Sequence, residues 1–153
     1  MADGITFGWE KLADLLEEPG LYEMLADHWE EIAEDRDEIP LEIDWPHHLS
    51  LNESGLLRIW VCRKGGQLIG YCCWYIDKHP NYPVLYAWAS PFYLDPEYRK
   101  GLLGYRLLAS AEPELKAMGV KRLVIREKVG GPLGPLFERM TYRAYERAWT
   151  KVL

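Results

Sequence analysis

Three consecutive segments of this chain have the composition of β-strands, and they constrain its fold more than any other feature. Residues 57–63 and 67–77 are rich in β-branched and aromatic side chains, and residues 84–94 resume the pattern. The Gly-Gly turn after Lys64 predicts an antiparallel hairpin between the first two segments. Pro91 interrupts the third. Because proline has no N–H to donate to a sheet ladder, we expect the sheet to be bulged or split there.

Apolar residues at helical spacing predict helices on both sides of these strands. A short strand at 5–9 precedes a helix that ends at Pro19-Gly20, and a second helix runs from about Leu21 to before Pro40. Its predicted inward residues are Leu21, Leu25, Trp29, Ile32 and Ala33. Residues 40–55 are expected to form a loop with no more than one helical turn.

The C-terminal half alternates helices and strands. A helix follows residue 102 with a bend near Ser110 caused by Pro113, and a strand at 121–127, a short helix at 135–140 and a final strand at 142–152 come next. The order β-α-α-β-β-β-α-β-α-β predicts an α/β fold on a mixed sheet. At 153 residues, the chain is expected to be one domain, 1–153.

Charge is distributed unevenly along the chain. Residues 10–44 contain 14 acidic side chains against Lys11 and Arg36, whereas residues 99–153 contain 12 basic ones against 5 acidic. Two solvated faces of one domain would explain this asymmetry, and so would a basic half that binds a small polyphosphate. The net charge of −6 argues against nucleic acid as a partner.

The cysteine and hydropathy patterns indicate the compartment. Cys62, Cys72 and Cys73 form no C-x-x-C pair, so we expect no metal site and buried free thiols in a reducing compartment. No apolar run has the length of a membrane span, and no leader sequence is recognised. We therefore expect a cytoplasmic protein with no membrane partner.

The segment 92–108 carries the clearest chemical signal. A strand ends, a turn containing Arg99, Gly101 and Gly104 follows, and a helix begins at once. Unpaired N–H groups and the positive end of the helix dipole make such a turn an anion cradle. The segment has neither the Gly-Lys-Ser/Thr of a Walker loop nor the spacing of a dinucleotide fingerprint.

In its full context this segment resembles the acetyl-CoA motif of the GNAT superfamily of N-acyltransferases, a strand ending in V-x-P followed by R/Q-x-x-G-x-G/A. Leu94-Asp95-Pro96 matches the strand end, Arg99 the first position and Gly104 the last. Leu102 replaces the middle glycine, and Gly101 lies one place earlier. The segment 135–142, PLFERMTY, is similar to the family's L-Y-E-K-L-G-F, and the resemblance covers nearly the whole chain.

The resemblance implies a GNAT fold: a mostly antiparallel sheet splayed at a bulge in strand 4, with about four helices. It also implies acetyl-CoA as cofactor and an amine as acceptor, with a homodimer left open. The expected cofactor-binding residues are Tyr93, Leu94, Arg99, Lys100, Gly101, Leu102, Leu103, Gly104 and Tyr105. Asp44-Trp45, Gly70-Tyr71, Pro96–Arg99 and Leu133–Arg139 look most like GNAT proteins of bacteriophages and prophages.

Catalytic groups are harder to assign. Acetyl transfer needs a base for the amine and often an acid for the departing thiolate. Glu127 is a candidate base, Ser90 a candidate relay through water, and Tyr142 a candidate acid, because Phe137 stands where many GNATs have tyrosine. The alternative is a catalytically weak or inactive phage protein with a GNAT fold that acts as a CoA-binding, virion or host-interaction module.

The acceptor side is predicted from the loop and the aromatic residues. Asp44, Trp45 and Tyr86 are the candidate acceptor-binding residues, although aromatic residues are more often simply core. If the acidic stretch 27–44 borders the pocket, it favours a cationic acceptor such as a polyamine, an aminoglycoside or a lysine side chain.

Overall fold

A single mixed sheet organises the chain. The computed structural model describes residues 3–153, and its five strands lie in sequence order, with β1 to β4 antiparallel and β5 parallel to β4. The strands are β1 (Ile5–Glu10), β2 (Leu57–Lys64), β3 (Gln67–Lys78), β4 (Leu85–Leu94) and β5 (Val120–Ile125). The mixed α/β architecture expected from the sequence is confirmed.

Helices cover both faces of the sheet. They are α1 (Leu12–Leu15), α2 (Leu21–Ile32), α3 (Trp45–Glu53), α4 (Leu103–Ala117) and α5 (Gly134–Arg139). On one face, α4 buries Leu107, Leu108, Ala111 and Leu115 completely, which follows from their spacing on one helical stripe. The other face forms a second core with α1 and α2. No helix within residues 3–153 combines the length and the apolarity that crossing a bilayer requires.

The predicted irregularity at Pro91 divides β4. Trp74 pairs with Ala89 and Cys72 pairs with Phe92, so one residue of β3 lies opposite both Ser90 and Pro91. The parallel pairing of β4 with β5 ends at Ala89 and Ile125. Beyond the bulge, β4 keeps only its β3 neighbour, and the sheet opens on the β5 side.

Several predictions about individual elements were wrong. Residues 45–53 form a full helix rather than one turn, because Asp44 caps it by accepting a hydrogen bond from His47 N at 3.0 Å and Pro46 suits its first turn. Residues 142–153 form no strand. A half-buried strand needs one apolar set of alternate side chains, but one set here contains Arg143 and Arg147 and the other contains Glu146. Trp149, in the same set as the arginines, is 87% exposed.

The inward face of α2 also differs from the prediction. His28, rather than Trp29, is buried beside Leu21, while Trp29 is half-buried and Ile32 is 40% exposed. His28 follows Leu21 by seven residues and Leu25 by three, a spacing that places all three on one side of the helix.

Gly70 provides a test of how tightly β3 and β4 pack. A Cβ at Gly70 would lie 2.9 Å from the Tyr93 carbonyl oxygen and 2.9 Å from Leu94 Cδ1, whereas one at Gly8, also within a strand, meets nothing within 4 Å. We expect Gly70→Ala to lower the free energy of unfolding by roughly 1–3 kcal/mol. Gly8→Ala is the matched control and should change it far less. Equal urea midpoints for the two variants would contradict this packing.

Candidate active site

The opening of the sheet creates a cleft of about 790 Å³. Its walls are the end of β4, the start of α4, the C-terminal half of α2, the segment 127–133 and α5. The last residues of β4 line this cleft and do not pair with β5; they are Phe92, Tyr93 and Leu94. Backbone groups of β4 that would otherwise bond to β5 are therefore available to a ligand that lies in the cleft.

The turn between β4 and α4 forms one end of the cleft. Asp95 accepts a hydrogen bond from Glu97 N at 2.9 Å and begins a short 3₁₀ turn, after which Gly101 adopts a positive φ of 90°. That conformation favours glycine, which explains why the glycine stands at 101 and a leucine at 102. The N–H of Arg106 is the first in α4 to bond within the helix, to Leu102 O, so earlier N–H groups are free for an anion.

Gly104 keeps this helix start open. It lines the cleft, and a Cβ there would meet only Leu94 Cδ2, at 4.0 Å. A larger side chain at this position would project into the space over the N–H groups without a backbone clash. The turn therefore has the shape and the donors that a pyrophosphate group requires.

Arg99 is oriented by three contacts. Its Nε donates to Leu94 O at 2.7 Å, and its terminal nitrogens donate to Glu31 of α2 at 2.6 and 3.0 Å. The guanidinium also lies 5.3 Å from the centre of the Tyr93 ring. The hydrogen bonds to Glu31 raise the pKa of Arg99, which keeps its positive charge at the cleft.

A second ion pair connects α2 to the opposite side of the cleft. Lys128 Nζ lies 3.1 Å from Glu34, two residues beyond α2, while Glu31 pairs with Arg99 on the β4 side. The acidic C-terminal end of α2 thus bridges the mouth of the cleft. Both pairs are largely exposed, so each contributes about 0–1 kcal/mol.

His28 is a candidate functional residue that the sequence analysis missed. Its Nδ1 lies 2.8 Å from the Tyr71 hydroxyl, its ring centre lies 4.8 Å from that of Tyr93, and it lines the cleft. Burial lowers the pKa of His28 to about 4, so the imidazole is neutral at neutral pH. Burial also raises the pKa of Tyr71, whose hydroxyl keeps its proton. The available signal was the position of His28 on the apolar stripe of α2.

Most of the predicted cofactor residues line the cleft. These are Tyr93, Leu94, Arg99, Gly101, Leu102, Gly104 and Tyr105. Lys100 is exposed outside the lining, and Leu103 packs against the core beneath α4.

The three predicted catalytic residues occupy different places. Glu127 lines the cleft, but its carboxylate accepts hydrogen bonds from Leu133 N and Gly134 N and so holds the start of α5. Ser90 is exposed at the bulge. Tyr142 donates to Glu112 at 3.2 Å and lines a separate cavity of about 310 Å³. Phe137 is buried against the α4 core rather than lining the cleft.

A further cavity of about 260 Å³ lies between the sheet and α1, α2 and α3, and we call it the apolar cavity. Trp45, a predicted acceptor residue, lines it. Asp44 does not line it and instead caps α3. Tyr86 lies elsewhere, buried in contact with His79 and Arg122. Within residues 3–153, no three His, Cys, Asp or Glu side chains are grouped to hold a metal.

The splayed sheet and the turn between β4 and α4 are those of a coenzyme-dependent transferase fold. The model of the acetyltransferase (GNAT) family matches residues 18–139, and the chain belongs to that family. Members of the family use acetyl-CoA, and the cleft has the donors that such a cofactor needs.

Solved structures with the same fold cover nearly all of this chain. A GCN5-related N-acetyltransferase from Ralstonia eutropha has 19% identity and a TM-score of 0.76, with 97% of this chain and 99% of that one covered. An aminoglycoside acetyltransferase from an uncultured soil metagenomic sample has 12% identity and a TM-score of 0.75, covering 99% and 98%. A predicted acetyltransferase from Clostridium acetobutylicum, solved with acetyl-CoA, has 14% identity and a TM-score of 0.70, covering 97% and 96%. No curated protein matches the sequence.

The role of the turn can be tested by calorimetric titration with acetyl-CoA. We expect Arg99→Ala and Gly104→Val each to raise the Kd roughly tenfold or more, the first through loss of a charge-assisted contact and the second through obstruction. Arg36→Ala is the matched control, because Arg36 also pairs with a glutamate of α2, Glu30, but does not line the cleft. Unchanged affinity in both cleft variants would refute the cradle.

The ion pair between Arg99 and Glu31 predicts an effect of opposite sign. Glu31 competes with a phosphate for the same guanidinium, so Glu31→Gln should lower the Kd for acetyl-CoA by about two- to fivefold. Glu30→Gln, next to it on α2, breaks only the surface pair with Arg36 and should leave the Kd unchanged. A weaker affinity in Glu31→Gln would show that Glu31 positions Arg99 rather than competing for it.

Proposed function

We propose that this protein is an N-acetyltransferase that transfers the acetyl group of acetyl-CoA to a primary amine by direct attack. One observation carries the proposal: the pair formed by His28 and Tyr71 lies where the cleft and the apolar cavity adjoin. His28 lines the cleft, Tyr71 lines the apolar cavity, and their side chains are 2.8 Å apart. A proton acceptor is thus located between a cofactor site and an acceptor site.

The cofactor-binding residues follow from the cleft. The N–H groups of 101–105 and the Arg99 guanidinium bind the pyrophosphate, with Lys100, Gly101, Leu102, Leu103, Gly104 and Tyr105 forming the turn around it. The backbones of Tyr93 and Leu94 pair with the pantetheine arm in place of β5. Acetyl-CoA supplies the thioester carbonyl that the amine attacks.

His28 and Tyr71 accept the proton that the amine loses. The Tyr71 hydroxyl donates to Nδ1 of the neutral imidazole, which leaves the phenolic oxygen free to accept from the amine. As the nitrogen replaces sulfur at the acetyl carbon, its proton passes to the Tyr71 oxygen and the Tyr71 proton passes to His28. Solvent supplies the proton that the departing sulfur takes up. A weakly basic imidazole suffices, because bonding to the carbonyl carbon makes the nitrogen strongly acidic.

Direct attack, without a covalent acetyl-cysteine intermediate, is supported by the protonation state of the thiol that lines the apolar cavity. Cys73 lines the apolar cavity, and burial raises its pKa to about 12, so it is not a thiolate nucleophile at neutral pH. Glu127, Ser90 and Tyr142 are less suited to accept the amine proton. Glu127 is engaged by the start of α5, Ser90 is exposed, and Tyr142 lies in another cavity.

The setting of the enzyme is also part of the proposal. We place the single domain 1–153 in the cytoplasm of a bacterium or a phage-infected host, as a phage or prophage product able to form a homodimer. The phage origin is supported by the sequence resemblance at 44–45, 70–71, 96–99 and 133–139, and the reducing compartment by the three free cysteines.

The test measures release of free CoA and the mass of the acetylated product over a panel of primary amines. Tyr71→Phe and His28→Gln should each lower kcat about 100-fold or more while leaving the Kd for acetyl-CoA nearly unchanged. Tyr75→Phe is a matched control, since Tyr75 also lines the apolar cavity but makes no bond to His28. Tight acetyl-CoA binding without turnover on any amine would favour a CoA-binding module that lacks enzymatic activity.

A further inference from the structure

The lining of the apolar cavity is almost free of charge. Its walls come from α1, α2, the loop before α3, α3, β2, β3 and the β4 bulge. The lining residues are Leu12, Leu15, Leu21, Leu25, Glu42, Ile43, Trp45, His48, Leu57, Ile59, Leu68, Tyr71, Cys73, Tyr75 and Pro91. Glu42 is the one carboxylate in this set, and it is exposed at the rim.

Apart from Glu42, the acidic residues of the N-terminal region do not line this cavity. The helix α2 contributes only Leu21 and Leu25 to the lining. Glu31 faces Arg99, and Asp44 caps α3. Of the acidic residues in 27–44, only Glu42 lines this cavity, so a polycation would find one carboxylate there among mainly apolar and aromatic side chains.

The cavity adjoins the cleft at the bulge. Pro91 lines the cavity, whereas Phe92 and Tyr93, the next residues of β4, line the cleft. The Tyr71 ring forms part of the cavity wall, while its hydroxyl reaches His28 on the cleft side. A molecule seated against the leucines would therefore present its end group to the Tyr71 hydroxyl.

Size and polarity together define the ligand. The volume of about 260 Å³ lies just under the roughly 300–1,000 Å³ typical of sites for drug-sized molecules. An ordinary core contains few voids larger than a water molecule. An apolar wall also favours the uncharged form of an amine, which is the form that attacks a carbonyl.

We propose that the acceptor is a small primary amine with one nitrogen and an apolar body, a single ring or a short alkyl chain, and that the apolar cavity binds this body. This inference rests on the proposed function and narrows its acceptor. The amine nitrogen lies at the Tyr71 hydroxyl, and the hydrocarbon contacts Leu15, Leu25 and Trp45. A second ammonium would find no carboxylate among the lining residues except Glu42 at the exposed rim, which disfavours polyamines and aminoglycosides.

The experiment compares kcat/KM over propylamine, butylamine, pentylamine and phenethylamine with spermidine and an aminoglycoside. We expect kcat/KM to rise about fourfold for each added methylene until the cavity is full. Phenethylamine should exceed both polycations. Higher kcat/KM for spermidine or the aminoglycoside than for every apolar amine would overturn the inference while leaving acetyl transfer itself intact.

A variant pair locates the binding site. Ile43→Trp fills part of the cavity from its loop and should raise KM for phenethylamine about tenfold or more, with little change for propylamine. Leu41→Trp, two residues away on the same loop, is the matched control, because Leu41 is 46% exposed and does not line the cavity. Melting temperatures verify that both variants fold, and Leu25→Phe provides a second filling variant. Equal KM values for phenethylamine in all three variants and the wild type would also overturn the inference.

Binding without turnover separates this inference from the proposed function. Calorimetry of phenethylamine with the CoA-loaded protein should give saturable binding that Ile43→Trp weakens and Leu41→Trp does not. If that binding occurs but no amine is acetylated, the acceptor site stands and the enzymatic proposal fails. If phenethylamine does not bind and is not acetylated, the inference fails.

Discussion

The loss of one ladder donor in β4 is the constraint on which the rest of the molecule depends. Pro91 cannot donate to a neighbouring strand, and Ser90 and Pro91 together oppose a single residue of β3. Pairing with β5 stops at Ala89, so the last three residues of β4 face a cleft. Pro91, at this bulge, lines the apolar cavity instead. This one irregularity in the sheet therefore lies between the cleft and the apolar cavity.

The second determinant is the low polarity around His28 and Tyr71. Each is almost completely buried, at 6% and 4% exposure, and each satisfies the other across the 2.8 Å contact. Burial favours the neutral forms of both groups. The Tyr71 hydroxyl therefore remains a proton donor and the neutral imidazole a proton acceptor. If the pair were exposed, both groups would exchange protons with water, and no direction of proton transfer between them would be favoured. The hydrophobic packing of α2 thus sets the acid–base state of the site.

Local patterns in the sequence predicted the parts of the fold that depend on local chemistry. The hairpin between β2 and β3, the bulge at Pro91 and the helix start after Arg99 all follow from turn residues and periodicity. The helix α3 was missed because it buries no residue and so has no apolar stripe, although Asp44 and Pro46 mark its start. The expected last strand was wrong because no face of that segment is consistently apolar. The contact of Arg99 with Glu31, 68 residues away, had no local signature.

The helix α2 borders both the cleft and the apolar cavity. Its acidic end is held at the cleft mouth by Arg99 and, just beyond it, by Lys128, while Leu21 and Leu25 at its other end form part of the apolar cavity wall. A polyanion that takes Arg99 away from Glu31 also removes one of the restraints on this helix. If acetyl-CoA does this, the affinities of the cleft and the apolar cavity for their ligands are coupled, and linkage requires the coupling to be equal in both directions. This coupling is limited to what the exposed ion pair itself contributes, about 0–1 kcal/mol, which corresponds to a change of up to about fivefold in either affinity.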